Sequence, residues 1–137
     1  MSFDWSDFLT YAKSLELTTD AARKRTSISR SYYAAYGTAV ARLTADNITI
    51  PRGVNTHEYV WWYFELEPVA RDASQTIGDL SWELKRKRIQ ADYRDTVTFD
   101  TRDTQQAVFL ASAIINSIRA VGRPFRQRTI EDFEASR

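Results

Sequence analysis

Apolar positions along the chain recur at helical rather than strand spacing. Trp5, Phe8, Leu9, Ala12 and Leu15 follow a three-four spacing that predicts a first helix over 4–18, with Asp4 or Ser6 as its cap. Ile28, Tyr32, Ala35, Ala39 and Leu43 trace one stripe of a long second helix over 19–45, capped by Thr19 or Asp20. Tyr33, Gly37 and Val40 form a neighbouring stripe, so this helix has two faces to pack and belongs at the centre of a bundle. After the break at Pro51 and Gly53, Asn55 or Thr56 starts a short helix that is apolar nearly all round from Tyr59 to Phe64, as a segment of the core and of a dimer contact would be.

Two further helices follow. In 75–93, Ile77, Leu80, Leu84, Arg88 and Ala91 share a stripe, and Trp82, Arg86, Ile89 and Tyr93 share the adjacent one. In 102–121, Ala107, Leu110, Ala111, Ile114 and Ile118 recur, with Thr101 or Asp103 as the cap and Gly122 as the stop. The strand candidate Thr96 to Phe99 is too short and sits between helices. The predicted fold is all-α, an antiparallel bundle of four to five helices over residues 1–121. A polar C-terminal tail over 122–137 is expected to fray, with a short helix at Ile130 to Glu134.

The 137 residues include no cysteine and one histidine, His57. Disulfides, zinc ribbons, thiolate catalysis and multi-histidine metal sites are excluded, and no metal or cofactor is expected. There is no glycine-rich phosphate loop, no serine elbow and no paired His-Glu helix. No apolar run reaches the roughly 18 residues of a membrane span, and the N-terminus lacks a signal-peptide pattern, so a cytoplasmic protein is expected. His57, at the start of the aromatic helix, reads as a cap or partly buried structural group before it reads as a general base.

The formal net charge of +1 conceals blocks: +5 over 21–52, −5 over 53–83 and +3 over 84–95. Such blocks make local basic surfaces that meet phosphate or pair with the acidic ones. Lys85, Arg86, Lys87 and Arg88 are four consecutive cations on a helix, and at about 100° per residue at least one must face the bundle. Asp92, four residues after Arg88, is its natural partner. Arg86 and Tyr93 lie two turns apart on one face, where a guanidinium and a phenol can reach one phosphate. Arg23, Lys24, Arg25 and Arg30 lead into Ser31-Tyr32-Tyr33, a second mixture of cations, hydroxyls and aromatics. If the two stretches meet, they form a basic patch suited to an RNA backbone.

Ser29-Arg30-Ser31-Tyr32-Tyr33-Ala34-Ala35-Tyr36, Thr56-His57 and Arg88 through Ala91-Asp92-Tyr93, followed by an alanine-rich helix, resemble the small prokaryotic HEPN-domain proteins over about residues 20–121. The resemblance implies a dimerising helical bundle, often a metal-independent endoribonuclease of a toxin-antitoxin or phage-defence system. In active members an arginine followed four to six residues later by a histidine lines the dimer cleft. Aligned on that pattern, Arg86 takes the arginine position, Ala91 the histidine position and Tyr93 that of a following tyrosine. Ala91 cannot move a proton, and the chain falls in an Ala-Asp-Tyr subgroup. Two functions follow from the resemblance. In one, Arg86, Arg88, Asp92 and Tyr93 carry catalysis, with Arg30, Tyr33, Lys85 and Lys87 binding RNA. In the other, a non-catalytic scaffold dimerises and binds a nucleotide or a partner protein, docked through residues 59–64. The expected partners are a second copy of the chain, RNA, and an antitoxin or a nucleotidyltransferase, the last able to adenylylate Tyr93.

Overall fold

A computed structural model describes residues 3–137. Helix α2 (Ala21–Ala45) is the axis of the molecule, packed against α1 (Ser6–Ser14), α4 (Ile77–Tyr93) and α5 (Thr101–Ala120). Helix α3 (Thr56–Trp62) lies across α2 and α4, and α6 (Ile130–Ala135) closes the chain. The fold class is all-α, and no helix of the described residues is long and apolar enough to cross a membrane.

The helix starts follow from local chemistry. Asp20 accepts from the Arg23 amide and Asn55 from the Glu58 amide, each satisfying a donor that the first helical turn leaves free. Thr76 and Asp79 form a reciprocal capping box at α4. Helix α5 is also boxed, but by Asp100 with Asp103, one residue before the expected Thr101 cap. Helix α1 is shorter than its apolar pattern. Asp4 receives the Ser6 amide and hydroxyl in a tight turn, and the chain leaves the helix at Leu15.

Two further expectations are corrected. A short antiparallel hairpin, β1 (Pro68–Val69) with β2 (Asp72–Thr76), precedes α4, where no strand pattern is legible because four of the five β2 residues are exposed. The Ala70 amide donates to Ser117 Oγ (2.9 Å), tying the hairpin to α5. The segment after Gly122 does not fray. Phe125 and Phe133 are buried, the Phe125 amide donates to Asp46 (2.9 Å), and the Arg128 amide donates to the Tyr63 hydroxyl (2.9 Å). This segment covers the aromatic helix: Phe133 meets Tyr59 and Trp62 edge-on, each at 5.3 Å between ring centres, and Phe125 meets Phe64. Residues 59–64 are therefore core, overlaid by the chain's own C-terminal segment, and offer little surface on which a partner could dock.

Candidate functional site

Helices α2, α3 and α4 converge on a cluster of polar and aromatic side chains centred on Arg88. The helical period places Arg88 beside the apolar stripe of α4, so its stem enters the bundle, and the residue is only 7% exposed. Its guanidinium lies 5.0 Å from the Tyr32 ring, 5.5 Å from Tyr33 and 6.0 Å from Tyr93. Asp92, one turn on, is 3.7 Å away, and its carboxylate also accepts from the Ser29 hydroxyl (3.3 Å). That separation is an ion pair without a hydrogen bond, and Arg88 Nε is buried with no acceptor at all. A guanidinium carries five N–H donors, and leaving the buried one on Nε unpaired is costly unless a further acceptor completes the site. The aromatic faces supply cation–π attraction but leave the in-plane donors free.

His57 belongs to the same cluster, which sequence spacing did not reveal. Its ring stacks on Tyr36 at 4.0 Å, and its Nδ1 is 2.6 Å from the Tyr32 hydroxyl. Trp61 Nε1 donates to that hydroxyl oxygen (3.1 Å), so Tyr32 links the indole to the imidazole, and the His57 Nδ1 is engaged whichever of the two supplies the proton. Burial first, then the positive charges of Arg88 and Lys85, depress the His57 pKa to about 4. The imidazole is therefore neutral at pH 7. Burial also raises the Tyr32 phenol well above its ordinary range, which keeps its proton in place.

The other residues singled out in the sequence divide into three groups. Arg30 joins the cluster, its guanidinium 5.0 Å from both Phe8 and Tyr33, and Tyr93 stands at the rim, 72% exposed. Lys85 and Arg86 face a groove between α3 and α4, where Arg86 lies over Trp82 at 5.6 Å. Lys87 points to another side of α4 and pairs with Asp103 of α5 at 4.0 Å, away from the cluster. Arg86 and Tyr93 are both exposed, the first on the groove and the second beside Arg88, which occupies the interior position.

The two basic stretches do meet: Arg30 reaches the Arg88 cluster across Tyr33, whereas Arg25 and Lys24 are engaged elsewhere. Arg25 donates to the carbonyls of Gln90 (3.2 Å), Ala91 (2.8 Å), Arg94 (3.0 Å) and Val97 (2.6 Å), closing the C-terminus of α4. Lys24 donates to the Phe99 carbonyl (3.0 Å). Both cations are spent on the partial negative charge of carbonyl groups. Ala91, at the position where the resemblance places a histidine, is buried. Among the described residues no group of three His, Asp or Glu side chains is arranged to hold a metal ion.

Comparison with known proteins agrees with this architecture at the level of family. A model of the HEPN domain matches residues 7–121. Neither a curated protein nor a solved structure matches the chain.

Proposed function

Because the chain belongs to the HEPN domain family, we propose that it is an RNA-binding protein whose Arg88 receives an RNA phosphate. The observation that carries this reading is the buried guanidinium without a hydrogen bond, held open by three aromatic faces and one distant carboxylate. A phosphate oxygen is an acceptor of the right charge and geometry for those donors. Arg30 adds a second cation beside it, and the Ser29 hydroxyl holds Asp92 where it orients Arg88.

Binding without cleavage fits the geometry better than catalysis does. Ala91 is buried and has no proton to transfer, and His57, its Nδ1 engaged by Tyr32, is a weak base with a pKa lowered to about 4. A base that weak is poorly matched to taking a proton from a 2′-hydroxyl near neutral pH. The exposed Tyr93 hydroxyl at the rim suits modification by a nucleotidyltransferase, which would place a new anion next to Arg88 and compete with RNA.

The test is RNA affinity measured by fluorescence anisotropy with end-labelled RNA, with the same RNA followed on a denaturing gel. Arg88→Ala is expected to weaken binding about 10-fold or more and to reduce the salt dependence. Wild-type affinity in that variant removes the phosphate role. Accumulation of fragments with purified wild-type protein, lost in His57→Asn, overturns binding without cleavage.

A further inference from the structure

The groove between α3 and α4 encloses about 910 Å³, within the range of ordinary ligand sites. Its walls combine Trp61, Trp62 and Trp82 with Lys85, Arg86 and Arg94. Gly78 makes it narrow at one end: a Cβ there would stand 2.7 Å from the Glu65 carbonyl oxygen, so the start of α4 lies directly against the chain leaving α3. Trp82 is 68% exposed, a large indole left in water at the edge of a cavity already lined by two more.

The charge of the groove is equally unspent. Lys85, Arg86 and Arg94 make no side-chain hydrogen bond and no ion pair with any described residue, in contrast to Arg25, Arg42 and Lys87. The two carboxylates on the lining are Glu58 and Glu65, and Glu65 is engaged by Arg137 (3.2 Å). Read along the chain, the tryptophans of α3 are flanked only by acids. In the fold, α4 and the Arg94 that follows it bring an indole and three cations without carboxylate partners to the facing wall. An exposed aromatic face interleaved with cations is the chemistry that holds single-stranded nucleic acid, whose bases stack while its phosphates meet the cations. A duplex keeps its bases stacked on one another and offers none to an indole.

We propose that this groove binds single-stranded RNA, with a base stacked on Trp82 and the flanking phosphates held by Lys85, Arg86 and Arg94. This rests on the RNA-binding reading and adds to it a base-binding subsite, distinct from the Arg88 cluster, that selects single strands over duplex. Lys85 joins the two, because it lines the groove and its charge also reaches His57.

The experiment measures anisotropy of the full chain with a labelled oligoadenylate and with an RNA duplex of equal length. Trp82→Ala is expected to weaken the single strand about 10-fold while leaving duplex affinity unchanged, and Trp82→Phe to restore most of the loss. Arg86→Ala is expected to lower the salt slope by about one for the single strand. Because Trp82 is exposed, the variant should keep wild-type circular dichroism. Equal losses on both RNAs, or none, overturn the subsite. If Arg88→Ala loses binding while Trp82→Ala keeps it, the subsite fails and the phosphate role of Arg88 stands. If wild-type protein binds neither RNA, both fail. If Trp82→Ala turns a dimer into a monomer in light scattering, the groove is an interface between copies and the proposal is overturned.

Discussion

Arg88 and Asp92 face each other across one turn of α4 at 3.7 Å, close enough to pair in charge but too far to share a hydrogen bond. A buried ion pair in this state recovers less than its desolvation costs, whereas an apolar side chain of similar length would cost nothing to bury. Asp92 remains solvated after the exchange, because its residue is exposed. Arg88→Met is therefore expected to keep or raise the thermal midpoint while lowering RNA affinity about 10-fold or more. Calorimetry and anisotropy on the same preparation check it. A variant that unfolds instead marks Arg88 as a structural charge.

The His57 imidazole gives the fold a pH dependence of known sign. Its folded pKa of about 4 lies below the ordinary 6.5, so the unfolded chain binds the extra proton first. The stability His57 contributes is complete above pH 6.5 and is lost as the pH falls from there to about 4. His57→Asn can still accept the Tyr32 proton but does not titrate, so its urea midpoint should fall less than that of wild type between pH 7 and pH 4.5. Parallel loss in the two proteins would place the acid sensitivity elsewhere.

The helices were readable from their apolar stripes, and two of them from their caps as well. Asp20 and Asn55 sit where a polar cap must sit, and the periodic apolar stripes behind them are the faces now buried, whereas the Thr76 cap of α4 shows only in the structure. The Arg88–Asp92 pair was readable for the same reason, since both residues lie on one helix four apart. What depends on packing between helices was not. Arg25 was grouped with an RNA-facing patch, but it closes α4 through four carbonyls, a demand that leaves no mark in side-chain identity. The Tyr32–His57 contact and the cations opposite Trp61 join residues far apart in sequence. The hairpin before α4 escaped because exposed polar strands lack the alternation that betrays a half-buried one.

Gly37 sits mid-helix because α1 lies against it. A Cβ at this position would overlap Trp5 Cδ2, a clash that only displacement of the indole can relieve. The helix itself would gain roughly 1 kcal/mol from alanine, but the clash is expected to outweigh that gain. Gly37→Ala should therefore be destabilised, by about 1–3 kcal/mol in urea titration, and Gly37→Ala with Trp5→Ala should recover part of the loss. A stabilised single variant would mean that α1 is not seated on this glycine.

The C-terminal segment lies outside the residues matched by the family model, yet it completes the core. Phe133 stands 5.3 Å from the ring centres of both Tyr59 and Trp62, is 5% exposed, and has the Arg137 guanidinium over its outer face. Removing it uncovers the two aromatics that anchor α3 and leaves a cavity beside them. Phe133→Ala is expected to cost about 3–5 kcal/mol, the range for a buried phenylalanine. Since α3 also carries His57 and one wall of the groove, the loss should extend beyond the tail itself. Hydrogen exchange would then show faster exchange in α3 as well as in α6, and single-stranded RNA affinity would fall at temperatures where α2 and α5 stay protected. Faster exchange confined to residues after Gly122 would show instead that the segment is an appendage the bundle does not need.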